Sequence, residues 1–273
     1  MASWNLSKRF DFEGNEIAYA VTGDGPPLVL VHGFPGNSFS WRHVAPALAR
    51  KHRVHVYDML GFGQSSMREG RKVFGESQTR LLAALLKHWK LDAPLMVAHD
   101  IGTAPALGAH LFEGRQYRRL ILLSAAVLNP SVSANSMHAR AHLKAYQTMP
   151  AKLYAQIMRA HIPTTMHTGM SEEIFQGYFG PWSTPEGQAA YYRFLGDFEE
   201  PYLDQIEAKL DQVVPETLIL WGDDDTWIPL ARGEKLQKLV PRATLRIVPK
   251  AGHFLMDDNP DAIIREIEAF AVK

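Results

Sequence analysis

Four places in the sequence combine residue types that do chemistry with a local pattern that would expose them. The first is Val97-Ala98-His99-Asp100-Ile101-Gly102, which reads as the end of a strand, a sharp turn and the start of a helix. Small residues stand two before and two after Asp100, where strand and helix backbones must pass closely. A carboxylate displayed on such a turn can attack a saturated carbon bearing a leaving group and form an alkyl ester with it. The hexapeptide reads equally well as a helix whose cap is Asp100. No Gly-x-Ser-x-Gly occurs in the chain, so no serine competes for the position.

The second place is His32-Gly33-Phe34-Pro35, directly after an apolar run. A loop here can aim the backbone N–H of Phe34 at a point shared with the N–H of Ile101, and two converging donors make an oxyanion hole. Without that role it is a Pro/Gly turn. The third is Trp221-Gly222-Asp223-Asp224-Asp225-Thr226-Trp227-Ile228-Pro229, where Asp225, three after the Gly and four before the Pro, is the acid that would orient a histidine. Asp223 and Asp224 read as solvated or capping. The fourth is Ala251-Gly252-His253-Phe254. A lone histidine among twelve carries little weight, but nucleophile, acid and histidine arrive in the order 100, 225, 253, each just past a strand end.

The elements that must position these residues form an alternating series. Apolar runs at Pro27–Val31, Val54–Tyr57, Pro94–Ala98, Leu120–Leu123, Thr217–Leu220 and Thr244–Val248 alternate with helical patterns, among them Trp41–Arg50, Gln78–Trp89 and Gly102–Phe112. Two earlier runs, Arg9–Glu13 and Glu16–Val21, form a hairpin around Gly14-Asn15. This β-α rhythm predicts an α/β fold: a mostly parallel eight-stranded sheet with helices on both faces and an antiparallel edge. Residues 129–212 break the rhythm with helical patches at His142–Tyr154 and Gln188–Phe198 and no strand run. They predict a helical cap over the strand C-termini, inserted into a core made of residues 1–128 and 213–273.

Composition removes several function classes. The 273 residues suffice for a large self-supporting core. Zero Cys excludes disulfides, thiolate metal sites and cysteine nucleophiles. Twenty-nine Lys and Arg against twenty-nine Asp and Glu argue against a nucleic-acid surface. No metal-ligand spacing such as His-Glu-x-x-His occurs, so neither a metal nor a cofactor is expected. The opening Met1-Ala2-Ser3-Trp4-Asn5-Leu6 has no basic segment leading into an apolar one, and the longest apolar stretch, 95–112, carries His99, Asp100 and His110. The expectation is a cytoplasmic protein with no membrane partner; oligomeric state, monomer or homodimer, is not legible.

Taken together these motifs resemble the α/β-hydrolase superfamily over essentially the whole chain. The aspartate in Ala98-His99-Asp100-Ile101-Gly102 is similar to that of the branch containing epoxide hydrolases, haloalkane dehalogenases and fluoroacetate dehalogenases. In haloalkane dehalogenases the residue after the nucleophile is typically Trp, with an Asn or second Trp completing halide binding; here the corresponding residues are Ile101 and Phe34. In fluoroacetate dehalogenases Arg typically follows the nucleophile and recurs three residues on; here those positions are Ile101 and Ala104. Their acid also typically follows the strand that ends here at Ser124-Ala125-Ala126, which holds no carboxylate. Epoxide hydrolases match better, through the His-Gly-x-Pro loop and through Tyr191-Tyr192-Arg193, which resembles the segment whose Tyr before Arg binds the epoxide oxygen.

The resemblance implies a cofactor-free epoxide hydrolase acting on a small-molecule epoxide and water. Asp100 would form the ester, His253 with Asp225 would activate water to hydrolyse it, and Tyr192 would protonate the leaving oxygen. The resemblance also implies a second ring-opening residue from the first cap helix: Tyr146 by distance from the nucleophile, with His142 and Tyr154 as rivals. Phe34, Pro35, Trp182, Trp227 and Phe254, with Met256, are the expected lining of an apolar substrate pocket. A dehalogenase taking an organohalide is the first alternative, and a silent fold used as a receptor or interaction protein is the second.

Overall fold

A computed structural model describes residues 4–130, 133–198 and 200–272; the opening Met1–Ser3 lies outside the described residues. The strands are β1 (Lys8–Phe12), β2 (Asn15–Thr22), β3 (Pro27–Val31), β4 (Arg53–Tyr57), β5 (Leu95–His99), β6 (Arg119–Leu123), β7 (Glu216–Gly222) and β8 (Ala243–Val248). They form one eight-stranded sheet in the order β1-β2-β4-β3-β5-β6-β7-β8. β1 and β2 pair antiparallel, as do β2 and β4; every other neighbour is parallel. The central strands are apolar along their whole length because helices cover both faces: Leu28 to Val31 and Leu95 to His99 are all buried.

The chain leaves β3 to build β4 on one side and later returns to build β5 on the other, so β3 and β5 are neighbours. Strand order reverses there, and loops leaving two adjacent C-termini in opposite directions open a crevice. The His32–Pro35 loop and Asp100 therefore lie side by side, although 66 residues separate Phe34 from Asp100. The next strands outward, β6, β7 and β8, carry the Asp225 and His253 loops to the same end of the sheet.

Helix boundaries follow the apolar stripes where these are long. The Gln78–Trp89 expectation is met by the helix Glu76–His88, with Leu81, Leu82, Leu85 and Leu86 buried. The expected Trp41–Arg50 helix is shorter: a 3-10 turn, Ser38–Trp41, and a single helical segment, Val44–Leu48. All described elements between β6 and β7 are helical. The expected His142–Tyr154 helix is instead two segments, Leu143–Gln147 and Ala151–His161, because Pro150 opens the second one. Pro185–Asp197 matches the other expected patch, and Glu172–Phe179 and Glu200–Glu207 lacked a recognised signal. We read this insert as the cap. No helix among the described residues is long and apolar enough to cross a membrane.

Candidate active site

Asp100 sits at the tip of the turn after β5 with φ +52, a left-handed conformation that a non-glycine residue holds only when its surroundings impose it. A 3-10 turn, Asp100–Gly102, and the helix Thr103–Leu111 follow. The glycines that flank this turn in space are required by contact. A Cβ on Gly102 would fall 2.1 Å from the His32 carbonyl oxygen, and one on Gly33 would fall 2.4 Å from the Asp100 Cβ. The His32–Pro35 loop thus presses directly on Asp100.

That closeness delivers the Phe34 backbone N–H to Asp100 Oδ1 at 2.7 Å. The loop itself is held by His32. Its Nε2 accepts from the Met59 N–H at 2.9 Å, so Nδ1 carries the proton and faces the Gly33 carbonyl at 3.1 Å. The Ile101 amide opens the 3-10 turn, where first-turn N–H groups have no acceptor within the helix, and the Ile101 side chain lines the cavity in front of Asp100.

On the other side, Asp100 Oδ2 stands 3.3 Å from His253 Nε2, which is fully buried and not aligned for a hydrogen bond. His253 Nδ1 meets Asp225 Oδ2 at 3.0 Å. Asp225 Oδ1 accepts the N–H groups of Trp227 and Ile228 at 3.0 and 2.9 Å. Asp223 ties the Asp225 and His253 loops together by accepting the Ala251 N–H at 3.2 Å, and Asp224 pairs with His167 at 2.9 Å. His99, before the nucleophile, donates from Nε2 to the His253 carbonyl at 2.9 Å; burial pulls its pKa down to about 4, so it is a neutral strut.

Burial alone would also discharge His253. Burial is the largest single influence, but the Asp225 and Asp100 side chains together outweigh it and lift the imidazole to about 10. Burial works against the Asp225 carboxylate as well, yet the His253 ring and the Ile228 N–H hold its pKa below the usual range. The resting site is therefore an imidazolium clasped between two carboxylates.

Asp100 opens onto a cavity of about 430 Å³, lined among others by Phe34, Ile101, Leu195, His161, Trp227 and Arg232. A second chamber of about 450 Å³ adjoins it, sharing Asn135, Ser136, His161 and Leu195. Tyr192 and Tyr146 line this second chamber and not the first, with ring centroids 5.1 Å apart. Tyr192 is buried, its hydroxyl has no hydrogen-bond partner, and burial raises its pKa. Leu195, one turn beyond Tyr192 on the same helix face, lines both chambers. Tyr154 is buried behind it at 5.8 Å, and His142 is exposed against His138.

Several expected pocket residues are packing groups instead. Trp182 is fully buried and its indole N–H donates to the Pro35 carbonyl at 2.8 Å, so both residues join cap to core and neither lines the Asp100 cavity. Phe254 is buried between Tyr178 and His253, and Met256 is buried nearby. Phe34 and Trp227 do line the cavity. His161, which also lines it, carried no signal in the sequence beyond its place among twelve histidines. Among the described residues no three His, Asp or Glu side chains are grouped so as to hold a metal ion.

Comparisons with known proteins agree with this architecture. A family described as alpha/beta hydrolase fold matches residues 26–260. An alpha/beta hydrolase fold protein from Burkholderia ambifaria superposes with a TM-score of 0.94 at 39% identity, over 97% of each chain. The 2-hydroxy-6-oxo-2,4-heptadienoate hydrolase of Pseudomonas putida is 28% identical over 94% of this chain and 93% of its own. Haloalkane dehalogenase 2 of Mycobacterium tuberculosis is 27% identical over 96% and 93%.

Proposed function

Because the chain belongs to the alpha/beta hydrolase fold family, we propose that it is a hydrolase of the covalent-ester type, opening an epoxide to a vicinal diol through Asp100. The observation that carries this reading is the bipartite grip on the Asp100 carboxylate. Oδ1 is held by the Phe34 N–H, and Oδ2 faces the cavity edge beside His253 Nε2. One oxygen is fixed where an oxyanion will form, and the other is left to attack.

In the first step Asp100 Oδ2 bonds to an epoxide carbon, the C–O bond breaks, and the released oxygen takes the Tyr192 proton. Burial keeps that phenol protonated until the alkoxide appears. Esterification removes the negative charge of Asp100, one of the two that hold the proton on His253, so the imidazolium becomes acidic and returns a proton to the tyrosinate. His253 is then neutral and takes a proton from water as the water oxygen adds to the ester carbonyl carbon. The oxyanion rests on the Phe34 and Ile101 N–H groups. Collapse expels the diol and regenerates the Asp100 carboxylate and the imidazolium, with atoms and protons balanced. Charge thus orders the two steps: His253 cannot serve as a base before the ester exists.

An organohalide is the second reading, favoured by the Mycobacterium tuberculosis relative's name. Against it, both indole N–H groups near the cavity are occupied by protein acceptors, Trp182 by the Pro35 carbonyl and Trp227 by Thr164 Oγ1, leaving neither to hold a departing halide. A panel of epoxides and organohalides in heavy-oxygen water tests the proposal. Diol formation, label appearing in the Asp100 carboxylate over repeated turnover, and loss of turnover in Asp100→Asn are expected. Diol formation by Asp100→Asn at the native rate would refute it.

A further inference from the structure

The turn of the cap that follows the helix Ala151–His161 bonds to the residues flanking Asp225 and His253 in the chain. This is the 3-10 segment Ile162–Thr165. Its Thr164 hydroxyl accepts the Trp227 indole N–H at 2.9 Å, and the Thr165 carbonyl accepts the Phe254 N–H at 2.9 Å. One step before it, the His161 ring stacks on Trp227 with centroids 4.6 Å apart and planes 24° from parallel. The Trp227 ring also lies near-parallel to that of His253, at 5.5 Å and 15°. The same residue's backbone N–H donates to Asp225 Oδ1.

Trp227 is thus a plate stacked both against a cap histidine and against the catalytic histidine. Its main chain orients the acid, its ring bounds the base, and both are referred to the cap through His161 and Thr164. Phe254, immediately after His253, is referred to the same turn through Thr165. Asp100 is positioned by β5 and by the Phe34 N–H, and its link to the cap runs through Pro35 and Trp182, not through this turn.

We propose that the cap turn His161–Thr165 is the positioning element for the Asp225–His253 pair, acting through Trp227, and that it governs hydrolysis of the ester without governing its formation. The inference rests on the ester mechanism above and deepens it. Formation needs the Asp100 carboxylate and a proton donor, neither of which Trp227 holds. Hydrolysis needs His253 Nε2 aimed at a water, and a base that wanders by a fraction of an ångström loses much of its effect.

The test separates the two steps in the intact protein with a terminal epoxide as substrate. Rapid-quench mass spectrometry gives the rate of adduct formation on Asp100 and the rate of its decay. Thr164→Val, which removes the acceptor of the indole N–H, is expected to slow decay about tenfold while formation stays within about twofold, and His161→Ala, which removes the cap plate together with part of the cavity wall, is expected to slow decay at least as much. Thr164→Ser and His161→Phe, which retain the acceptor and the plate, should restore decay. Equal slowing of both steps, or no slowing of decay, would overturn the proposal. Absence of any adduct in the native protein would instead overturn the epoxide reading. The positioning role is then judged by the downfield proton resonance of His253 Nδ1–H. Its exchange with solvent should quicken about tenfold in Thr164→Val and His161→Ala and return in the conservative variants; unchanged exchange would remove the role.

Discussion

The two chambers under the cap differ in how their polar atoms are held. Around Asp100 the key polar atoms are fixed by backbone donors, by partners on neighbouring strand ends or by both: Phe34 N–H on Oδ1, Trp227 and Ile228 N–H on Asp225, His99 on the His253 carbonyl. In the adjoining chamber the Tyr192 hydroxyl is buried with no partner, as is that of Tyr154 behind it. An orphaned buried hydroxyl costs stability, and on the proposed epoxide reading the substrate oxygen is the acceptor that Tyr192 would gain. On the proposed reading, the Asp100 side is largely bonded within the protein before substrate arrives, while Tyr192 meets its partner only in the substrate.

The sharpest way to break this contrast is to disable the finished half. His253→Gln should let the ester form and then persist, so that protein of substrate-added mass accumulates and steady-state turnover falls by about a thousandfold or more. A receptor built on this fold would show no adduct at all. Next in size is the open half. Tyr192→Phe removes the proton donor while keeping the ring, and adduct formation from an epoxide should fall by about a hundredfold. A bromoalkane, whose leaving group needs no proton, should react with this variant as it does with the native protein; a matching loss on both would show that Tyr192 acts through packing.

Titration gives a smaller and slower test. The His253 pKa rises on folding from 6.5 to about 10. The stability from its charged form is therefore fully present below pH 6.5 and is lost as pH climbs through about 10. Denaturant midpoints measured from pH 7 to 10.5 should fall in the native protein and fall less in His253→Gln. The smallest effect belongs to the seam between the halves: Trp182→Phe keeps the aromatic bulk, removes the bond to the Pro35 carbonyl, and should cost about 1 kcal/mol in urea unfolding.

Legibility from sequence follows the same division. Asp100, Asp225, His253 and Phe34 were readable because each directly follows an apolar run, and a parallel sheet brings all such ends to one edge. β3, β5 and β6 were readable because buried parallel strands leave little room for polar residues, and β1 and β2 because Gly14-Asn15 marks the turn between them. The cap offered no comparable rule. Trp182, Pro35 and Phe254 are aromatic or rigid groups near the motifs, but proximity along the chain does not say whether a ring faces a cavity or the packing behind it. His161 escaped notice because its partner, Trp227, is 66 positions away on a core loop, and no local periodicity records a stack between separate elements. The Leu143–Gln147 and Ala151–His161 break was visible in Pro150, although the helical pattern across it ran on.

The Trp182 bond to Pro35 has one more consequence, for anyone exchanging parts between relatives. The carbonyl it grips belongs to the residue after Phe34, whose N–H holds the Asp100 carboxylate. A transplanted cap without an indole at that place would leave the donor loop unanchored on its outer side. A chimera that exchanges the insert should therefore carry the four residues His32–Pro35 along with the graft, because in this molecule the contact to Trp182 and the contact to Asp100 are made by adjacent residues, Pro35 and Phe34.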